Sequence, residues 1–134
     1  MLLWIGLGMV VAFAAYVRLA PSDTARWHVT VEAGEDKTGG GSAVRVLKDV
    51  DGALARVDSA MMAEPATTRL AGSVSEGHIT YISRSRWWGF PDYTTVQVVK
   101  GQIRMFARLR FGQQDLGVNA ARLERVKRAV QAGG

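Results

Sequence analysis

The chain has 134 residues, 48% hydrophobic and 22% charged, with 17 Lys/Arg against 12 Asp/Glu and a net charge of +5. That length holds one domain and an appendage, and the charge favours anionic partners such as phospholipid head groups, acidic proteins or nucleic acid. There is no cysteine, which excludes disulfides, thiolate metal sites, a cysteine nucleophile and a lipidated amino-terminal cysteine.

Residues 1–17 carry no charged side chain, and the run Leu2–Val17 is followed by Arg18, Leu19, Ala20 and Pro21. A helix from Leu2 to Leu19 is about 27 Å long at about 1.5 Å per residue, close to a hydrocarbon core of about 30 Å. Trp4 and Tyr16 stand near its ends as interfacial aromatics do, and Arg18 can reach the head groups. Pro21 ends the helix, because the residue before a proline disfavours helical geometry. A cleavable signal wants a basic start and a shorter apolar core. Ala12-Phe13-Ala14 imitates a cleavage site, but no Lys or Arg precedes the run. Residues 1–20 therefore read as an uncleaved single-pass membrane anchor. Arg18 and Arg26 on its downstream side place the domain in the cytoplasm by the positive-inside tendency.

Residues 21–43 read as a linker, in which Arg26-Trp27-His28 either packs back on the domain or lies at the membrane surface. The stretch Gly34-Glu35-Asp36-Lys37-Thr38-Gly39-Gly40-Gly41-Ser42 has the glycine and charge of a flexible loop. Lys37-Thr38 does not sit at the spacing a phosphate-binding loop needs. The domain is expected over 44–131. Val44–Leu47 reads as a short extended segment. Val50, Leu54, Val57 and Met61 then form one helical stripe, capped by Asp49 or Asp51 and stopped by Pro65.

From Thr67 the pattern is that of strands: Thr67–Val74, His78–Arg86, Tyr93–Val99 and Gln102–Phe111, joined by Ser75-Glu76-Gly77, a Gly89-Phe90-Pro91-Asp92 corner and Lys100-Gly101. In the last strand Ile103, Met105, Ala107, Leu109 and Phe111 alternate with Gln102, Arg104, Phe106, Arg108 and Arg110. Val118–Gln131 reads as a second helix burying Leu123, Val126 and Val130, with Glu124 set to pair with Lys127 or Arg128. Residues 132–134 are a flexible tail. The expected fold is α+β: about four strands in an antiparallel meander, two helices on one face, and one transmembrane helix in front.

Two stretches carry a family resemblance. The first is Arg84-Ser85-Arg86-Trp87-Trp88-Gly89-Phe90-Pro91-Asp92-Tyr93. The second is Arg110-Phe111-Gly112-Gln113-Gln114-Asp115-Leu116-Gly117-Val118-Asn119-Ala120-Ala121-Arg122. Together they resemble the bacterial and plant family catalogued as domain of unknown function 1499, over roughly Val44 to Val130. The motif residues are Trp88, Gly89, Phe90, Asp92, Gly112, Asp115, Gly117, Asn119 and Arg122. The family often has serines near the arginine of its last strand, where this chain has Ala107 and Leu109, so no role of those hydroxyls transfers. The resemblance implies membrane association in many members and no established activity. Physically, the second motif is turn and cap chemistry: glycines for the turn, Asp115 for the N–H groups at the helix start or a nearby arginine, and Asn119 to tie the turn down.

For function, Arg104, Arg108 and Arg110 share one strand face with Phe106 among them, and Arg84 and Arg86 share a face of another strand. Such a face suits an anionic lipid or an acidic protein through charge-assisted hydrogen bonds; the ordinary alternative is a solvated arginine-rich surface. Nucleic acid is disfavoured, since no RNA-binding signature accompanies these residues and the anchor points elsewhere. No catalytic constellation, metal-ligand cluster or cofactor motif is present. The enzyme alternative is a small hydrolase-like site using Asp115, Asn119 and nearby arginines. His28 and His78 are isolated in sequence.

Overall fold

The computed structural model describes residues 1–133. An apolar helix α1 (Leu2–Leu19) leads into a single turn α2 (Thr24–Trp27) and then an extended segment. A hairpin follows, β1 (Lys37–Thr38) with β2 (Ser42–Lys48). Then come α3 (Ala53–Ala63), β3 (Thr67–Ser73), β4 (His78–Arg84), β5 (Pro91–Val99), β6 (Gln102–Leu109) and α4 (Val118–Gly133). The α+β class holds, but the sheet has six strands in the order β1-β2-β6-β5-β4-β3 rather than four. The expected meander is β3 to β6. The segment around Val44–Leu47 is a full strand paired antiparallel with β6, from Ser42 opposite Arg108 to Lys48 opposite Gln102.

Both α3 and α4 lie on one sheet face, where the core forms from Leu54, Val57 and Met61 of α3, Leu123, Val126 and Val130 of α4, and Ile79, Tyr81, Val96, Ile103, Met105 and Ala107 of the strands. Helical spacing of the first six and alternation of the rest dictate this burial. At the start of α3 the expectation fails in detail. Val50 is exposed and precedes the helix, and neither Asp49 nor Asp51 caps it; the N-cap is Gly52 in left-handed geometry, with no side-chain cap. Glu124 bonds Arg45 of β2 rather than Lys127 or Arg128, because β2 brings Arg45 beneath α4. The last helix continues through residues 132–133, which were expected as tail; Gly134 lies outside the described residues.

One buried polar group joins helix to sheet. Asp58 of α3 accepts from the Tyr81 hydroxyl at 2.7 Å and from Arg69 Nε and Nη2 at 2.9 and 2.6 Å. The Arg69 hydrogen bonds hold the Asp58 carboxyl below its ordinary range, so the group is buried with its acceptors partnered, as an interior carboxylate requires.

Candidate functional site

The second sheet face is covered too, by the stretch expected to be a linker. From Pro21 to Glu32 the chain crosses that face as a strap. Trp27 and Val31 are buried in it. The Trp27 ring stacks on Tyr93 with centroids 3.8 Å apart. The Val31 N–H donates to Gln97 Oε1 at 2.8 Å, and Thr95 Oγ1 donates to the Trp27 carbonyl at 3.0 Å. The rings of His28 and His78 stack at 3.8 Å, with His28 Nδ1 2.8 Å from Thr80 Oγ1 and His78 Nε2 2.7 Å from the Val29 carbonyl. Burial lowers the His28 pKa, and the charge of His78 lowers it further.

This strap decides the fate of the arginines picked out for an open ligand face. Arg104 donates to the carbonyls of Val31 and Glu32, both at 3.1 Å. Arg108 donates to the Trp27 carbonyl, to Thr95 Oγ1 and to the Phe106 carbonyl. Arg110 donates to the Pro21 carbonyl and the Tyr93 hydroxyl, both at 3.1 Å. Arg84 donates to the carbonyls of Val17 and Gly89. A segment without regular secondary structure leaves its carbonyls unpaired, and guanidinium groups supply the missing donors. Burial pushes the Arg108 guanidinium down to about 10, which leaves it protonated at neutral pH. Four of the five arginines therefore fasten the strap and the end of α1; Arg86 alone of the five is exposed.

Arg86 belongs to the aromatic corner between β4 and β5. The loop is closed by Ser85 N–H to the Phe90 carbonyl, Gly89 N–H to the Ser85 carbonyl, and Phe90 N–H to Ser85 Oγ. Gly89 has φ of 72°, which favours glycine, and a side chain there would meet Arg18 Nε at 2.8 Å and push the Arg18 side chain aside. Neither tryptophan is core: Trp87 is 77% and Trp88 50% exposed. The last turns of α1 dock on this corner. Arg18 Nη2 donates to the Trp87 carbonyl at 2.6 Å, Phe13 lies 6.2 Å from Phe90, and Tyr16 meets Phe111 edge-on at 6.0 Å. Val17 is buried.

The remaining motif residues form a separate network at the start of α4. Asp115 accepts from the Gly117 N–H at 2.9 Å, and from the N–H and side-chain amide of Asn119 at 3.2 and 2.8 Å. Asn119 Oδ1 accepts from Arg122 Nη1 at 2.7 Å, and Arg122 Nη2 lies 3.5 Å from Asp92 Oδ2. Gly112 and Gly117 both have positive φ, as the tight turn requires. Burial raises the Asp92 pKa, opposed by Arg122. The first motif's Asp92 is thus joined to the second motif through Arg122, a contact between distant parts of the sequence. Within this network the donors and acceptors serve one another, the arrangement of a clamped strand-to-helix junction.

Residues 28–130 match the family model described as protein of unknown function, DUF1499. The chain belongs to this family. No curated protein matches it. The matched span opens at His28, within the strap, so most of the stretch set aside as a linker falls inside the family domain while α1 falls outside it. Among the described residues, no group of three or more His, Asp or Glu is placed to hold a metal ion. Of the two places the sequence leaves open for Arg26-Trp27-His28, Trp27 takes the one packed on the domain, while sequence reasoning missed Val31, the stacking role of Tyr93 and the His28–His78 stack. The one available signal was the alternation of Trp27, Val29 and Val31 with His28, Thr30 and Glu32.

Proposed function

We propose that this protein is a single-pass, membrane-anchored, non-enzymatic module that stands on the bilayer surface and contacts anionic lipid at the end where α1 leaves the membrane. The observation that carries this reading is the docking of α1 on the aromatic corner. An 18-residue apolar helix, long enough to cross a membrane, lays its second half against a corner that carries the exposed Trp87 and Trp88, with Trp87 beside Arg18 at the boundary between hydrocarbon and head groups that such a side chain favours. Arg18 and Arg86 stand at the same corner, and Arg26, exposed in the strap, follows the anchor in sequence, giving cations for lipid phosphates on the side where the helix ends.

The anchor reading over a cleaved signal is supported by Phe13. Cutting at Ala12-Phe13-Ala14 would remove or free one of the three rings around Phe90, leaving Trp88 and Phe111. The lipid-facing residues of this proposal are Arg18, Arg26 and Arg86, in place of the strap-bound Arg84, Arg104, Arg108 and Arg110. The arginines that follow the helix favour a cytoplasmic domain by the positive-inside tendency.

Fractionation of the full-length chain tests the anchor: it should remain with membranes through an alkaline carbonate wash and keep its first residues by intact mass. Recovery in the soluble fraction, or a mass lacking the apolar run, would overturn it. Because the chain has no cysteine, single cysteines at Ser75 or Lys100 can be labelled in intact cells to fix the side on which the domain lies.

A further inference from the structure

Between α1 and the aromatic corner lies an open groove of about 570 Å³, lined by Met9, Val10 and Phe13 of the helix and Trp88 and Phe90 of the corner. We infer that this groove holds one acyl chain of an anionic phospholipid, whose phosphate sits at Arg18 and Arg86; the inference rests on the membrane reading above.

Depth is the first support. The groove touches α1 five to nine residues before Arg18, so it lies about 7–13 Å further along the helix. With Arg18 at head-group level, Trp88 and Phe90 reach below the interface, where the surrounding medium is hydrocarbon and a wall of apolar side chains meets lipid tails rather than water. In water the same groove would be a persistent exposed apolar patch.

Charge is the second. Both guanidinium groups bracket Trp87 at the groove's polar end: Arg18 Nη2 bonds the Trp87 carbonyl, and Arg86 Cζ lies 5.2 Å above the Trp87 ring. Neither arginine makes an ion pair among the described residues, and each retains donors for a phosphate. Apolar walls leading to two free cations match an acyl chain leading to a phosphate, in order and in polarity. A second copy's helix would find the apolar wall but would bring no anion to the arginines, since residues 1–17 have no charged side chain.

The test reconstitutes the full chain in vesicles of phosphatidylcholine with phosphatidylglycerol, one or the other brominated on its acyl chains. The emission of Trp88 is taken as the difference between the native chain and Trp88→Phe. Brominated phosphatidylglycerol should quench Trp88 at no more than about one fifth of the mole fraction that brominated phosphatidylcholine requires, and Arg86→Gln should narrow that gap by about fivefold. Equal quenching of the native chain by both lipids, or none by either, would overturn the site. Failure of the protein to float with the vesicles would instead sink the anchor reading and the site with it. A photocrosslinker at position 88 gives a second measurement: adducts to phosphatidylglycerol support the site, and a crosslinked protein dimer overturns it.

Discussion

Trp27 lies flat on Tyr93, ring planes 8° from parallel, and its carbonyl accepts from both Arg108 and Thr95. One residue of an irregular segment is thereby held to β5 by its ring and to β5 and β6 by its backbone. Apolar area and satisfied carbonyls act together at this point, which is why a strap with so little regular structure covers a sheet face.

Removing that ring should cost more than an exposed position would. Trp27→Ala is expected to lower the unfolding free energy by about 3 kcal/mol, read by urea denaturation. Amide exchange should quicken over residues 24–32 before the helical face is affected. A loss under about 0.5 kcal/mol would mean the strap is not a structural part of the domain.

The arginines divide by the same logic. Arg108→Met removes charge-assisted donors from the carbonyls of Trp27 and Phe106 and from the Thr95 hydroxyl, leaving Trp27 only Thr95, and should destabilise by about 2 kcal/mol. Arg86→Gln touches no protein acceptor and should change stability by less than about 0.5 kcal/mol while reducing the preference of the groove for anionic over zwitterionic lipid. The opposite pattern, with Arg108→Met harmless to folding and damaging to lipid binding, would return the ligand to the sheet face.

The contrast between Trp27 and Leu123 explains what could be read from the sequence. Leu123, Val126 and Val130 announce a helix because each repeats the period of the last; Ile103, Met105 and Ala107 do the same for a strand. Their elements, the turn glycines and the Asp115 cap were legible in that way. Trp27, Val29 and Val31 alternate with His28, Thr30 and Glu32, but over only five residues and beside Gly34 to Ser42, whose loop composition masks so short a pattern. The pairing of Arg104, Arg108 and Arg110 with backbone carbonyls leaves no trace in side-chain identity at the accepting end, so a row of buried donors reads the same as a free basic face. The Asp92–Arg122 contact was hidden for a different reason, since it joins two motifs that are remote in the chain.

The motif network predicts a large cost for losing its centre. Arg122 is buried between Asn119 and Asp92, with Glu64 Oε1 4.0 Å from its Nε. Arg122→Ala should destabilise by about 3 kcal/mol, because it leaves Asp92 without its cation in a buried setting. Asp115→Ala should cost about 1–2 kcal/mol through the lost cap. Thermal or urea unfolding measures both. If Asp115→Ala left folding intact and abolished turnover of some substrate, the hydrolase-like alternative would gain the support it lacks.

The histidine stack predicts a pH dependence of definite sign. In the fold, the proton affinity of His28 falls below its ordinary 6.5, by burial first and by the facing His78 second; Glu76 opposes this, and Thr80 Oγ1 bonds its Nδ1. The unfolded chain therefore binds the proton more readily than the folded one. The contribution is fully present above about pH 6.5 and is lost as the pH falls from there toward the lowered folded value. The unfolding midpoint should drop through that window with a slope on the order of one proton or less, and His28→Gln should flatten the slope. A midpoint rising on acidification would contradict the stack.

Gly72 makes room for that same stack. It has φ of 81°, next to the register shift of the β3–β4 pair between Arg69 and Ala71. A Cβ there would sit 1.9 Å from the His78 carbonyl oxygen and 3.0 Å from His28 Cε1. The first of these atoms is backbone and cannot swing aside, so the strand must shift and carry His78 with it. Gly72→Ala should therefore cost about 2–3 kcal/mol, combining left-handed strain with the displaced backbone, and should also weaken the pH dependence as the rings part. Comparing urea midpoints of Gly72→Ala and Gly101→Ala separates the two effects. Gly101 shares a positive φ of 75° but has nothing within 4 Å of the added atom, so its loss should be confined to about 1 kcal/mol of strain. Equal losses at the two positions would show that the close approach of β3 to His78 contributes nothing.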